Sequence, residues 1–157
     1  MIACTAARPW ILLAPVVLVL FAAGCGDIDV VTGSYATLGE ARAAGAIDRG
    51  WIPALLPPGA HDIREAHDVD TNRRWGLFSF GESDAAALEA ALQPQEAPLA
   101  GVRCDIPARI EWWPLLLRND LNQEAIKAAG LKAYRTREGP LMVVVNWNQR
   151  RAYYWSV

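Results

Sequence analysis

Both histidines of the chain fall in one stretch, His61-Asp62-Ile63-Arg64-Glu65-Ala66-His67-Asp68-Val69-Asp70-Thr71-Asn72, together with four acidic residues. Imidazole and carboxylate are the side chains that hold divalent metals and move protons near neutral pH. On a strand, His61, Glu65 and His67 share a face, but His61 and His67 are separated by about 20 Å at 3.3 Å per residue. They cannot share one ion unless the segment bends sharply. His67 with Asp68 and Asp70 is the better local cluster, with Asn72, Arg64 and Arg73 beside it, and could take a small ligand or a metal weakly. Arg64, Arg73 and Arg74 could also form a patch for an anion. The plain alternative is a polar hairpin in which Asp70 and Asn72 satisfy turn amides.

Two motif spellings at this corner fail. Asp68-x-Asp70-x-Asn72 opens like a calcium loop, but Arg73 stands where glycine is required and Ser79 where the bidentate glutamate belongs. Asp68-Val69-Asp70-Thr71 has the DxDxT spelling of haloacid-dehalogenase-type phosphatases. That motif follows a buried hydrophobic strand, which Arg64-Glu65-Ala66-His67 is not. Cys104, between Arg103 and Asp105, could serve as a thiolate only if its pKa were lowered and a base lay near; a lone cysteine is more often a small buried hydrophobe. Asn146-Trp147-Asn148 with Tyr153-Tyr154-Trp155 could form an aromatic and amide platform for glycan, although strand alternation sends about half of those rings into a core. No nucleophile elbow, P-loop, HExxH or CxxC occurs after the N-terminal segment. These residues assign no catalytic role, no resident metal and no cofactor.

The N-terminus carries the clearest signal. Arg8 is followed by an apolar run from Trp10 to Ala23, interrupted only by Pro15, and no acid precedes Asp27. The run is 14 residues, against about 20 needed to cross the hydrocarbon core as a helix. This is the build of a secretory signal. Phe21-Ala22-Ala23-Gly24-Cys25 resembles the lipobox of bacterial lipoproteins, with Ala22 where leucine is commoner. The resemblance implies cleavage before Cys25, diacylglycerol on its thiol and attachment to the membrane through that lipid. Gly26 rather than aspartate after the cysteine favours, in a Gram-negative cell, the outer membrane with the domain facing the periplasm.

Removing the first 24 of 157 residues leaves 133, enough for one domain with a real core. The mature chain would carry 14 basic and 17 acidic residues, which offers no electrostatic case for nucleic acid. With Cys4 removed and Cys25 lipidated, only Cys104 remains, so no disulfide can form within the domain. Stability must then come from packing, for which six tryptophans (51, 75, 112, 113, 147 and 155) are available.

These side chains need elements to hold them. Residues 25–34 read as a tether that includes an edge segment. Thr37 and Glu40 make a capping box for a helix over 38–48 that Gly50 stops. Residues 61–69 and 74–80 are strands joined by a turn at 70–73, the first half exposed and near an edge. Ser83-Asp84 caps a helix to about 92, and Asn119-Asp120 caps another over 121–129. Residues 131–137, 141–147 and 152–157 are strands, and the middle one, apolar on both faces, lies inside the sheet. The sum predicts an α+β fold for residues 35–157: a mainly antiparallel sheet of about five strands with about three helices packed on one face.

Gly50-Trp51-Ile52-Pro53, Leu56-Pro57-Pro58-Gly59-Ala60, Asp62-Ile63-Arg64-Glu65, His67-Asp68 and Asp70-Thr71-Asn72 with Trp75 resemble uncharacterised bacterial envelope proteins carrying a YbbD head domain, over roughly residues 38–80. The resemblance implies a small envelope domain and supplies no reaction. The expectation is a membrane-anchored cell-envelope lipoprotein acting as a binding or interaction module, its partner an envelope protein or peptidoglycan. The rival is a small-ligand or metal-binding domain, with an enzyme as one form of it, built at the His67–Asp70 corner.

Overall fold

The computed structural model describes residues 30–157. The signal expected at residues 1–24, Cys25 and the first part of the expected tether lie outside the described residues. Eight strands and three short α-helices follow: β1 (Val30–Thr37), α1 (Leu38–Ala43), β2 (His61–Asp68), β3 (Arg74–Ser79), α2 (Ala85–Ala91), β4 (Arg103–Cys104), β5 (Asn119–Asp120), α3 (Gln123–Ala128), β6 (Lys132–Arg135), β7 (Leu141–Asn146) and β8 (Arg151–Ser156). Six of them form an antiparallel sheet in the order β1-β2-β3-β8-β7-β6, while β4 and β5 pair separately. The fold is α+β and rich in strand, as the sequence predicts.

The sixth strand of the main sheet is β1. It begins at Val30, inside the stretch expected to be tether, and forms the edge of the sheet. Valine and tyrosine in Val30-Val31-Thr32-Gly33-Ser34-Tyr35 suit a pleated surface, and every residue from Val30 to Tyr35 has a partner on β2. The far edge, β6, is covered. Gln93 and Ala97 donate their backbone N–H groups to the carbonyls of Arg135 and Ala133, and Leu92 bridges Thr136.

The helices do not all lie on one face, which corrects the sequence expectation. Leu38 and Ala41 of α1 and Leu88 of α2 pack with Ile63, Phe78, Val143, Val145 and Tyr154. Ile126 of α3, with Leu99, Ile110, Trp113 and Leu117 from the long segment before it, packs with Ala66, Trp75, Met142, Val144 and Trp155. The reason is the apolar alternation itself. β7 is buried at all six positions, so it needs cover on both sides, and each cover brings its own helices.

Local signals account for most boundaries. Thr37 caps α1, its hydroxyl accepting from the Glu40 N–H at 3.2 Å, while the Glu40 carboxylate accepts from the Ala36 N–H at 2.9 Å. α1 ends at Ala43 rather than near residue 48, and turns with glycines at φ +73° and +75° (Gly45 and Gly50) carry the chain on. Asn122, not Asn119-Asp120, caps α3, accepting from the Ala125 N–H at 3.0 Å. Asp84 makes no cap bond to α2; its carboxylate instead accepts from the Gly81 and Gly59 N–H groups and holds the proline-rich connection to the sheet. Among the described residues, no helix is long and apolar enough to cross a membrane.

Candidate functional site

The corner singled out in the sequence is divided between two faces and a turn. The β2 side chains of Ile63, Glu65 and His67 point to the α1 and α2 side, whereas Arg64 and Ala66 point to the α3 side. A register shift between His61 and Arg64, with Asp62 at φ +49°, leaves His61 exposed and out of the cluster. Asp68 ends the strand, and one of its carboxylate oxygens accepts from the N–H groups of Asp70 and Thr71 at 3.0 and 2.9 Å. Those turn amides hold its pKa below the usual carboxylate range. Asp70 and Asn72 are exposed turn residues, with Asn72 at φ +60°, and the Arg73 guanidinium lies over the Trp75 ring at 5.4 Å.

His67 is far from the half-exposed residue that the sequence suggests. Its Nδ1 sits 2.9 Å from Glu65 Oε2, and the two side chains are 6% and 1% exposed. Trp51 stacks on the imidazole with ring centroids 4.1 Å apart, and the Arg49 guanidinium stands 4.6 Å from the Trp51 ring. Burial raises the Glu65 pKa, opposed by the hydrogen bond to His67. His67, Asp68 and Asp70 therefore do not converge. Among the described residues, no group of three or more His, Cys, Asp and Glu side chains is placed to hold a metal ion.

Glu65 belongs to a row that runs across four strands. Gly33 pairs with Glu65, Glu65 with Gly76, and Gly76 with Tyr154. A Cβ on Gly33 would crowd the Glu65 carboxylate and the Tyr35 hydroxyl, and one on Gly76 would overlap the Tyr154 ring. The glycines are thus the space into which the two large polar side chains fold. The Tyr154 hydroxyl is buried with no hydrogen-bond partner among the described residues, and burial pushes its pKa up.

On the opposite face the row Ser34, Arg64, Leu77, Tyr153 is also in register. The long segment before α3 leaves this part of the sheet uncovered. The result is an open groove of about 480 Å³, lined by Ser34, Arg64, Arg151, Tyr153, Asp62 and Trp112 among others. Arg151 lies two residues before Tyr153 on β8, which places its Cα roughly 12 Å from that of Arg64 by strand spacing and rise. Their side chains are long enough to converge. Among the described residues no carboxylate lies within ion-pair distance of either guanidinium; Arg151 reaches only the Ser79 hydroxyl, at 3.5 Å. Trp113 meets Tyr153 edge-on at 5.9 Å and fixes its ring from beneath.

Of the sequence candidates, the groove uses Arg64 and, from the aromatic platform, Tyr153. Arg151, Trp112 and Ser34 carried no signal, because their convergence depends on register between strands far apart in the chain. Asn146, Trp147 and Tyr154 do not form a shared platform with Tyr153. Tyr154 is in the core, Asn146 accepts from the Gln149 N–H, and Trp147 packs on Phe80 and Tyr134. Cys104 is buried, and burial pushes its thiol pKa up, away from a reactive thiolate.

Residues 29–79 match the family model described as the YbbD head domain. That region runs from β1 through the end of β3, so it supports the resemblance read from residues 38–80 and extends it back over the edge strand. No curated protein and no solved structure matches the chain.

Proposed function

We propose that this chain is a membrane-anchored cell-envelope lipoprotein, and that its domain is a binding module for a carboxylate-bearing glycan such as peptidoglycan. The groove between Arg64 and Arg151 carries the reading. Two guanidiniums without carboxylate partners among the described residues, beside the partly exposed rings of Trp112 and Tyr153, match an acidic and carbohydrate-like ligand. Guanidinium pairs with carboxylate in a bidentate manner, and an aromatic ring offers an apolar face to a sugar. The cysteine-ended signal at residues 21–25 supports the anchor, with the outer membrane favoured in a Gram-negative cell. The His67–Asp70 corner has no part in this function. The His67 Nδ1 is engaged by Glu65, its ring is stacked under Trp51, and Asp68 is occupied by its own turn.

Co-sedimentation of residues 26–157, produced without the apolar run and Cys25, with purified sacculi tests the binding reading, since that form lacks both the signal and the acyl chains and can be handled without detergent. Replacing Arg64 or Arg151 by alanine should each weaken binding about tenfold, the worth of one charge-assisted contact. Sacculi that bind the unmutated groove and the double variant equally would overturn it. Fractionation tests the anchor separately. The protein with Cys25 intact should float with membranes and carry acyl mass, and Cys25→Ser should leave an unlipidated precursor with no acyl tether, read by intact mass.

A further inference from the structure

Among the described residues, four large apolar side chains are exposed: Val31 at 46%, Val69 at 58%, Leu115 at 86% and Val157 at 52%. Single exposed valines are ordinary. Three of these four, however, fall at one end of the main sheet. Val31 is the second residue of β1 and pairs with His67 near the end of β2. Val69 follows directly in the β2–β3 turn. Val157 follows β8, whose Trp155 pairs with Trp75 at the start of β3, and the Val157 N–H bonds to the Pro140 carbonyl in the β6–β7 turn.

This is also the end at which β1 is joined to Cys25. Five Cα steps separate Cys25 from Val30, so the strand begins no more than about 18 Å from the cysteine however the linker runs. The opposite end of β1, Thr37, lies seven residues further on, about 23 Å along the strand. A cysteine carrying diacylglycerol sits at the bilayer interface, so the tether brings the valine end, rather than the groove end, against the lipid.

We propose that Val31, Val69 and Val157 form a seat that rests on the lipid bilayer and orients the domain on the membrane. This inference rests on the lipid anchor at Cys25 proposed above. The occupant is a neutral headgroup layer rather than an anionic one. Asp68 and Asp70 at the turn, with Asp27 and Asp29 in the linker, offset Arg49, Arg73 and Arg74 at this end, so the seat carries no excess of positive charge. Its contact is apolar and insensitive to added salt. The seat also gives the groove a direction. Ser34, Arg64, Leu77 and Arg151 lie toward the other end of their strands, so the seat holds the groove clear of the bilayer, open sideways from the sheet face.

The test uses the full-length lipidated protein in phosphatidylcholine vesicles, with and without phosphatidylglycerol. Cysteine is introduced at Val69 (Val69→Cys) or, as a control at the opposite end, at Glu82 (Glu82→Cys), and labelled with an environment-sensitive fluorophore. Cys104 is buried and Cys25 is blocked by lipid. Intact mass and vesicle flotation are read first. If the protein carries no acyl chains, the anchor fails and the seat falls with it. If it is acylated and floats, the seat predicts blue-shifted emission at position 69 and iodide quenching severalfold lower than at position 82, unchanged by phosphatidylglycerol. Equal quenching at the two positions on floating, acylated protein would overturn the seat and leave the anchor standing. Adding Val31→Asp to the Val69→Cys chain should restore quenching at position 69 while flotation persists.

Discussion

At the residue scale, the informative group is Glu65. A carboxylate so deeply buried is sustained by one imidazole, and the space for it is made by Gly33 on the neighbouring strand. Its pKa is raised, with burial as the largest cause. A carboxyl raised in the folded state binds more protons there than in the unfolded chain. Glu65 therefore adds stability that is fully present below the ordinary glutamate pKa, and that stability is lost as pH rises through the raised folded value. His67, Tyr35 and Tyr154 face the same carboxylate. Glu65→Gln keeps an acceptor for the His67 N–H but removes the charge. It should flatten the fall in melting temperature expected of the unmutated protein as pH rises above the ordinary glutamate pKa, about 4. If denaturation measured across that range has the same pH dependence in both proteins, the buried carboxylate is not the titrating group.

Register is decided at the element scale. Glycine is a poor strand residue, yet Gly76 occupies an inner strand because the Tyr154 ring lies over it. Tyr154 is wholly buried among residues of α1, α2 and the sheet and cannot swing aside. Gly76→Ala should cost about 3 kcal/mol as overpacking, read as a lowered midpoint of urea denaturation. Gly33→Ala on the edge strand should cost less, because the atoms that it meets are the movable ends of Glu65 and Tyr35. The same scale explains the caps. Thr37→Ala removes the acceptor for the Glu40 N–H and should lower stability by about 1 kcal/mol. These boundaries were legible because capping and proline signals act over three or four residues. Where a boundary was misplaced, at α1 and α3, a nearby turn offered an equally good local signal and packing chose between them.

At the scale of the whole molecule, the sheet is the shared wall of two cores. Trp51 and Trp147 pack against one face, and Trp113 and Trp155 lie in the other. Removing either cover would expose strands that the other cannot stabilise alone, so the domain should unfold as one unit. Tryptophan fluorescence, weighted to both cores, and far-ultraviolet circular dichroism should give coincident transitions in urea. Separate midpoints would mean that the segment carrying Trp113 melts independently of the sheet.

Read alone, the sequence determined what short-range patterns encode: the strands with period-two alternation, the turn at residues 70–73, the Thr37 cap and the α+β class. It also contained the clue to the two-sided core, because a strand apolar on both faces cannot leave one face in water. Only the tertiary structure decided which side chains meet. Glu65 and His67 looked like members of an exposed polar corner because composition cannot show that Trp51, sixteen residues before His67, folds back over the imidazole. The groove was hidden for the same reason. Arg64 and Arg151 stand 87 positions apart in the chain, and hydrogen-bond register across β2, β3 and β8 is what brings them onto one face.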